Sequence, residues 1–198
     1  MTNPFDHAYD AALRREEDDR NRELQNQRAD AANRQHARDV AEPYLLNVAP
    51  AVLRRLTGLG IEPITANVGG QPAWLAPAPP TKVPYWPLQA TYGPDGRITA
   101  LYGTQLCLTA EGYFVLNPSL PGPQGFTELL DSVYVIRQQP LYSNVEHSAP
   151  VVVEDGTDRV CVATHGYDNA IVTEFSDHVA EQVRLLHRAS QLGPIWNH

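Results

Sequence analysis

The sequence predicts an α+β fold with a long charged helical arm at the N-terminus, an antiparallel sheet built from hairpins, and a C-terminal helix packed on that sheet. Residues 14–39 are charged and helix-prone, residues 88–165 contain paired alternating runs around turn residues, and residues 175–192 have apolar side chains at helical spacing. These patterns divide the chain into a charged helical arm over residues 1–42 and a single α+β globular domain over residues 43–198.

The arm has a clear helix start and no core-facing stripe. Asn3 can cap free backbone N–H groups, and Pro4 is tolerated at the first helical position. Between residues 14 and 39, Leu24 is the only apolar side chain larger than Ala, so the segment cannot be a core helix. Acid-first pairs at i,i+4 spacing favour a solvated helix instead. These pairs are Glu16–Arg20, Asp18–Arg22 and Asp30–Arg34.

The spacing of a regular coiled coil is poorly met in the arm. Steps of seven from Leu24 reach Glu17, Ala31 and then Arg38. A regular two-stranded coiled coil would place these positions in its own seam, where charge is unfavourable. The sequence therefore favours a solvated helix that crosses solvent or lies along a polar partner.

The apolar pattern of a globular domain begins near Val40. Large apolar residues at i,i+3 and i+4 spacing predict a helix at about residues 43–57, which Pro43 and Pro50 would start or kink. Six prolines within residues 72–87 predict an extended, polyproline-like strap.

The remaining elements follow from turn and capping signals, and we expect five to eight strands. Three hairpins are predicted, in LQATYGPDGRITALYG, QLCLTAEGYFVLNP and PVVVEDGTDRVCVATHG. In FTELLDSVYVIRQQP, Thr127 is expected to cap a short helix through Leu130, before a strand. AIVTEF is expected to be a strand, and SDHVAEQVRLLHRASQLG a helix with Ser176 as its cap.

Composition argues against several classes of function. Residues 1–42 hold seven Arg against ten acidic residues, and residues 43–198 hold eight basic against thirteen acidic residues. Neither part has the clustered basic surface of a nucleic-acid-binding protein. No run approaches the roughly 18 apolar residues of a membrane span, and residues 1–13 lack a signal-peptide pattern. A cytoplasmic protein without a membrane or nucleic-acid partner is expected.

The two cysteines are too few for a disulfide framework. Cys107 and Cys161 each lie between apolar neighbours, in LCL and VCV. Buried, reduced thiols in a cytosolic protein are the expected state.

Motifs of well-marked enzyme families are missing, and no cofactor or metal is expected. The sequence contains no phosphate loop, dinucleotide fingerprint, nucleophile elbow, HExxH or cysteine-pair zinc spacing. Cys161 and His165 would lie on one face of a strand, about 13 Å apart at ~3.3 Å per residue, which is too far for a nucleophile–base pair.

Two weaker patterns involve histidines near the C-terminus. Glu174, His178 and Glu181 have i, i+4 and i+7 spacing and could hold part of a metal site, but Glu174 is expected on the strand before Ser176, which breaks the spacing. The loop HGYDNA offers His165 and Asp168 beside a sheet edge. The same Gly, Asp and Asn residues are typical of a turn.

We expect a non-catalytic interaction or assembly protein that uses the arm as its contact element, since about 30 residues are kept helix-prone without a means of burial on their own domain. The partner is expected to be a protein, either a second copy or another chain. The candidate partner-contacting residues are Phe5, Tyr9, Leu13, Leu24, Trp74 and Trp86. The two tryptophans and Tyr85 have a favoured alternative, burial behind the sheet.

Two other classes of function stay open. One is a regulatory or inhibitory binding protein of a mobile element or virus, which fits the acidic composition equally well. The other is a small enzyme with a His/Asp site near residues 165–178, in which His165, Asp168 and His178 would be the catalytic side chains. Convergence of these side chains in a cleft would favour the enzyme.

Overall fold

The computed structural model describes residues 4–68, 81–92, 98–101, 106–116, 122–136, 151–165 and 170–192. The fold is α+β, as the sequence predicts. The helices are α1 (Pro4–Gly58), α2 (Gly122–Ser132) and α3 (Phe175–Gln191). The strands are β1 (Ile64–Val68), β2 (Thr81–Pro87), β3 (Ala90–Tyr92), β4 (Ile98–Leu101), β5 (Cys107–Thr109), β6 (Phe114–Val115), β7 (Tyr134–Ile136), β8 (Val151–Glu154), β9 (Arg159–His165) and β10 (Ala170–Glu174).

Helix α1 is a single helix of 55 residues that joins the arm to the globular part. The prediction of a separate helix at 43–57 was wrong, because Pro43 and Pro50 lie inside α1 and do not interrupt it. Both prolines face solvent, where water can hydrogen-bond the carbonyls that a proline leaves unpaired. The opposite face is buried on both sides of each proline, at Ala41, Leu45, Ala49 and Leu56.

The packed part of α1 begins before the composition changes. Every described side chain from Ala11 to His36 is exposed, whereas Ala37 and Ala41 are fully buried. Alanine allows close approach of the helix to the sheet, but its small side chain gives no hydropathy signal for that burial. The solvated arm therefore ends at His36.

The described strands form two four-stranded sheets and one hairpin, and not the single antiparallel sheet that was expected. The first sheet has the order β1-β2-β5-β6 and is antiparallel, the second has the order β10-β9-β8-β7, and β3 pairs with β4. In the second sheet β7 is parallel to β8. A parallel pair needs a long connection, and residues 137–150 provide fourteen residues between these strands.

Residues 81–87 of the predicted proline strap form strand β2 within the first sheet. The strand pairs with β1 on one side and β5 on the other. Proline lacks an N–H donor but keeps an extended backbone and a carbonyl acceptor, and the carbonyl of Pro84 accepts the N–H of Ala110 at 3.0 Å. The polyproline prediction was wrong for residues 81–87, and residues 72–80 lie outside the described part of the chain.

The three predicted hairpins are present, but the caps predicted at Thr127 and Ser176 are not, and Asn3 lies outside the described residues. Gly112 and Gly156 take positive φ values, +87° and +76°, in the turns of the second and third hairpins. Helix α2 begins at Gly122, so the Thr127 hydroxyl lies inside the helix and donates to the carbonyl of Pro123 at 2.9 Å. At the start of α3, Ser176 donates to the Glu174 carboxylate and caps no backbone N–H.

One main hydrophobic core joins α1, α2 and α3 to both four-stranded sheets. Phe175 lies at its centre, with ring centroids 5.0 Å from Phe114 and 5.9 Å from Tyr44 in edge-to-face geometry. Helix α3 packs on β9 and β10, as the sequence predicts. The packed half of α1 is thus fixed to the core, and the arm continues from it as the same helix.

Candidate functional site

The arm, residues 4–36 of α1, is the most prominent exposed feature of the described chain. At about 1.5 Å per residue it extends roughly 48 Å beyond the packed part of the helix. Tyr9, Leu13 and Leu24 are exposed by 57%, 43% and 45%. Leu13 and Leu24 are eleven residues apart, which at ~100° per residue places them within about 20° of each other on the helix. The arm therefore has one sparse apolar face.

Ion pairs within the arm are few and exposed. Arg20 lies 3.7 Å from Glu16, which confirms one predicted pair. Arg22 pairs with Asp19 at 3.5 Å and not with Asp18. Exposed pairs of this kind stabilise a helix by only a few tenths of a kcal/mol.

The predicted pair Asp30–Arg34 does not form within the described arm. Both of these side chains are exposed to solvent. Only some of the charged side chains of the described arm therefore form ion pairs with one another.

Two long-range contacts fix the base of the arm. His36 Nε2 lies 3.0 Å from Asp158 Oδ1, and Arg38 Nη1 donates to Asp131 Oδ1 at 2.8 Å. Asp158 lies in the β8–β9 turn with φ +53°. These contacts join α1 to the end of α2 and to the β8–β9 turn at the point where the arm leaves the core. Local sequence patterns give no sign of them, because each contact joins residues more than ninety positions apart.

The other proposed partner-contacting residues have different positions. Trp86 is only 3% exposed, and its indole N–H donates to the carbonyl of Ile61 at 2.9 Å. The structure therefore places Trp86 in the core, in agreement with the favoured alternative of burial, and removes it from the candidate partner-contacting residues. Phe5 lies in α1, and Trp74 lies outside the described residues.

Of the three candidate catalytic residues, His178 is the one whose side chain the structure describes. His178 is largely buried on α3, and its Nε2–H donates to the carbonyl of Leu88 at 3.0 Å. Burial lowers the pKa of His178, and the hydrogen bond to Leu88 opposes this effect. His165 ends β9 opposite Ala170, and Asp168 lies outside the described part. His178 therefore serves as a neutral hydrogen-bond donor to the backbone.

The two glutamates beside His178 are not arranged with it as metal ligands. Glu174 ends strand β10, as expected, with its Cα opposite that of Cys161. Glu181 accepts two hydrogen bonds from Arg184, at 2.6 and 2.7 Å, and these lower the pKa of Glu181. Within the described residues, no three His, Cys, Asp or Glu side chains are placed to hold a metal ion.

Among the described residues, Glu154 is a buried charge that local sequence patterns do not predict. Glu154 is buried at the end of β8 and accepts hydrogen bonds from Arg159 at 2.7 Å and Thr157 at 2.9 Å. Glu154 and Arg159 face each other in the ladder between β8 and β9. The group closes the third hairpin and supports the turn that holds Asp158.

The thiols are free and buried, as expected. Burial raises the pKa of Cys107 to about 12. Burial also raises the pKa of Cys161, with a smaller contribution from the Glu154 carboxylate. Because the thiolate is the nucleophilic form, neither thiol is activated for chemistry.

Comparison with protein-family models, with curated proteins and with solved structures gives no significant match for this chain. A search of the described helices for membrane spans finds none with both the length and the apolar character required.

Proposed function

We propose that this chain is a non-catalytic protein–protein interaction or assembly protein, with the arm as its contact element. The observation that supports this most is the continuity of α1. A single helix packs on the core from Ala37 onward and extends about 48 Å into solvent before that point. Three exposed apolar side chains lie along the extension.

The energetics of the arm favour a partner. Most helical stability in proteins comes from packing an apolar face, and a solvated helix has only its propensity and weak ion pairs. Leu13 and Leu24 have no core to bury them where the arm is solvated. Burial of a Leu side chain contributes about 1.5–3 kcal/mol, so a partner on this face would stabilise the arm by more than its own ion pairs do.

Two polar side chains of the globular part support the non-catalytic part of this proposal, because they are engaged in contacts within the fold. His178 and Glu154 have hydrogen-bond partners within the fold, and the cysteines are protonated and buried. Free thiols also fit the reducing interior of a cell, and we propose a cytoplasmic location on that basis.

The proposed function can be tested by removing the apolar face of the arm. The full chain carrying Leu13→Glu and Leu24→Glu would be compared with the wild-type chain in affinity purification from the host, with quantitative mass spectrometry of bound proteins. Further copies of this chain would be counted through an isotopic label. We expect at least one protein to be recovered with the wild type and lost with the double variant.

Leu46→Glu is the matched control, because Leu46 lies on the same helix with the same 45% exposure as Leu24 but outside the arm. The control should retain every partner of the wild type. Identical recovery with all three chains would contradict a contact role for the arm.

A further inference from the structure

Four residues define a narrow seam along the arm: Leu13, Glu17, Arg20 and Leu24. At about 100° per residue, Glu17 lies ~40° to one side of Leu13 and Arg20 ~20° to the other. All four side chains are exposed. The seam thus places two charges of opposite sign between two leucines, over three helical turns.

The order of these residues distinguishes between pairing geometries. Two parallel arms in register would place Glu17 against Glu17 and Arg20 against Arg20, which is unfavourable in the layers of a two-helix seam. Two antiparallel arms can instead place Leu13 against Leu24 and Glu17 against Arg20. Each of these layers then joins side chains of matching chemistry.

We propose that the partner of the arm is a second copy of this chain, and that the two arms pack antiparallel through this seam. The inference rests on the proposed contact role of the arm. Leu13 faces Leu24 of the second copy, and Glu17 faces Arg20 of the second copy, so the numbers of facing residues add up to 37. Two Leu–Leu layers enclose two Glu–Arg layers.

This register is distinguished from its neighbours by the same four residues. A shift of one heptad in one direction places Leu24 against Arg20, and a shift in the other direction places Leu13 against Glu17. Both alternatives bury a charge beside a leucine without an opposite charge. A charge at the heptad position of Glu17 disfavours a regular parallel coiled coil, in which Glu17 would face Glu17. The same charge is compatible with a short antiparallel pair, in which Glu17 faces Arg20.

The structure leaves room for this arrangement. Pro4 lies opposite Asn33 of the second copy, about one turn before His36, where the arm meets the globular part. The described arm can therefore overlap its partner without entering the core region. Two symmetry-related flanking pairs are unfavourable, because Glu16 of each copy approaches Glu23 of the other. Glu16 is already paired with Arg20 of its own helix at 3.7 Å.

Charge reversal in the full chain tests the proposal by sedimentation equilibrium. Glu17→Arg places Arg against Arg in two layers of the dimer, and Arg20→Glu places Glu against Glu. Each single variant is expected to weaken dimerisation about tenfold or more, since like charges replace opposite ones. The double variant Glu17→Arg/Arg20→Glu restores both layers and should dimerise within about threefold of the wild type.

A mixture of the two single variants gives the sharpest result. The Glu17→Arg chain has Arg at both positions and the Arg20→Glu chain has Glu at both, so they should form a heterodimer more tightly than either forms a homodimer. An effect on helix stability alone could not produce this complementation. Circular dichroism of each variant checks that the helix is retained.

A monomeric wild-type chain at about 1 mM would overturn the proposal, as would a mixture that stays monomeric while the wild type dimerises. Recovery of a foreign protein through the arm, with a monomeric chain, would leave the proposed function in place and remove the self-pairing alone.

Discussion

The two halves of helix α1 differ in what stabilises them. From Ala37 to Gly58 the helix tolerates two prolines, because Leu45, Ala49 and Leu56 are buried in the core. From Pro4 to His36 it contains no proline after its first residue, yet no described side chain from Ala11 to His36 is buried. Tertiary packing stabilises the first of these segments, whereas the second depends on propensity and on whatever it contacts. The comparison supports our proposal that the arm contacts a partner, because its own domain does not bury it.

The largest expected difference in the free energy of unfolding is between alanine substitutions of one leucine in each half of α1. Leu45→Ala removes a fully buried side chain and should lower the free energy of unfolding by about 2–5 kcal/mol. Leu24→Ala removes an exposed one and should change it by less than about 0.5 kcal/mol when the chain is monomeric. Urea denaturation of both variants at low protein concentration measures the difference. Equal losses would show that the arm is packed on its own domain.

Glu154→Gln is expected to have the next largest effect. The change leaves the Arg159 guanidinium without its carboxylate partner and keeps the shape of the buried side chain. We expect a loss of about 1–3 kcal/mol in the free energy of unfolding. Glu181→Gln is the control, because it removes an exposed carboxylate that also pairs with an arginine, and should cost less than about 1 kcal/mol. A neutral Glu154→Gln variant would mean that the buried pair does not stabilise the hairpin.

A pH effect is expected from His178. Burial lowers the pKa of His178 below its ordinary value of 6.5, so the unfolded chain binds a proton at a higher pH than the folded chain. The contribution of His178 to stability is therefore present above pH 6.5 and falls as the pH is lowered, by at most about 1.4 kcal/mol per pH unit. His178→Gln should remove this part of the pH dependence in denaturation experiments between pH 7 and 5. The same slope in the wild-type and His178→Gln chains would contradict the assignment.

The smallest expected effect lies at the junction of the two halves. Arg38 and Asp131 form a partly exposed ion pair at 2.8 Å, so a double-mutant cycle with Arg38→Ala and Asp131→Ala should give a coupling energy of about 0.2–1 kcal/mol. Zero coupling would mean that this ion pair does not help to fix the arm.

Local sequence patterns predicted the elements that depend on local chemistry. The absence of an apolar stripe predicted the solvated arm, alternation around turn residues predicted the hairpins, and the spacing of Phe175, Val179 and Val183 predicted α3. The contacts that set the base of the arm were missed, since His36–Asp158 and Arg38–Asp131 join distant parts of the chain. Pro43 and Pro50 were expected to start or kink a helix, but α1 continues through both because its opposite face is buried.

The candidate site was also predicted only where it depends on local sequence. Exposure of Leu13 and Leu24 follows from their polar neighbours, and it was found. Trp86 was given an exposed alternative because sequence shows an aromatic residue beside prolines, whereas the structure shows its N–H bonded to Ile61 inside the core. Whether a large aromatic is buried depends on long-range packing, which local composition does not encode.

The pairing of the arms can be measured directly through spin-label distances in the full chain. Asn21→Cys and Arg28→Cys place labels seven residues apart on the same flank of the seam, while the buried native thiols react slowly. In the proposed dimer the axial separation between equivalent labels is about 8 Å for position 21 and ~28 Å for position 28, at ~1.5 Å per residue. Equal distances at the two positions would indicate parallel arms, and an absence of dipolar coupling at both would contradict self-pairing through the arm.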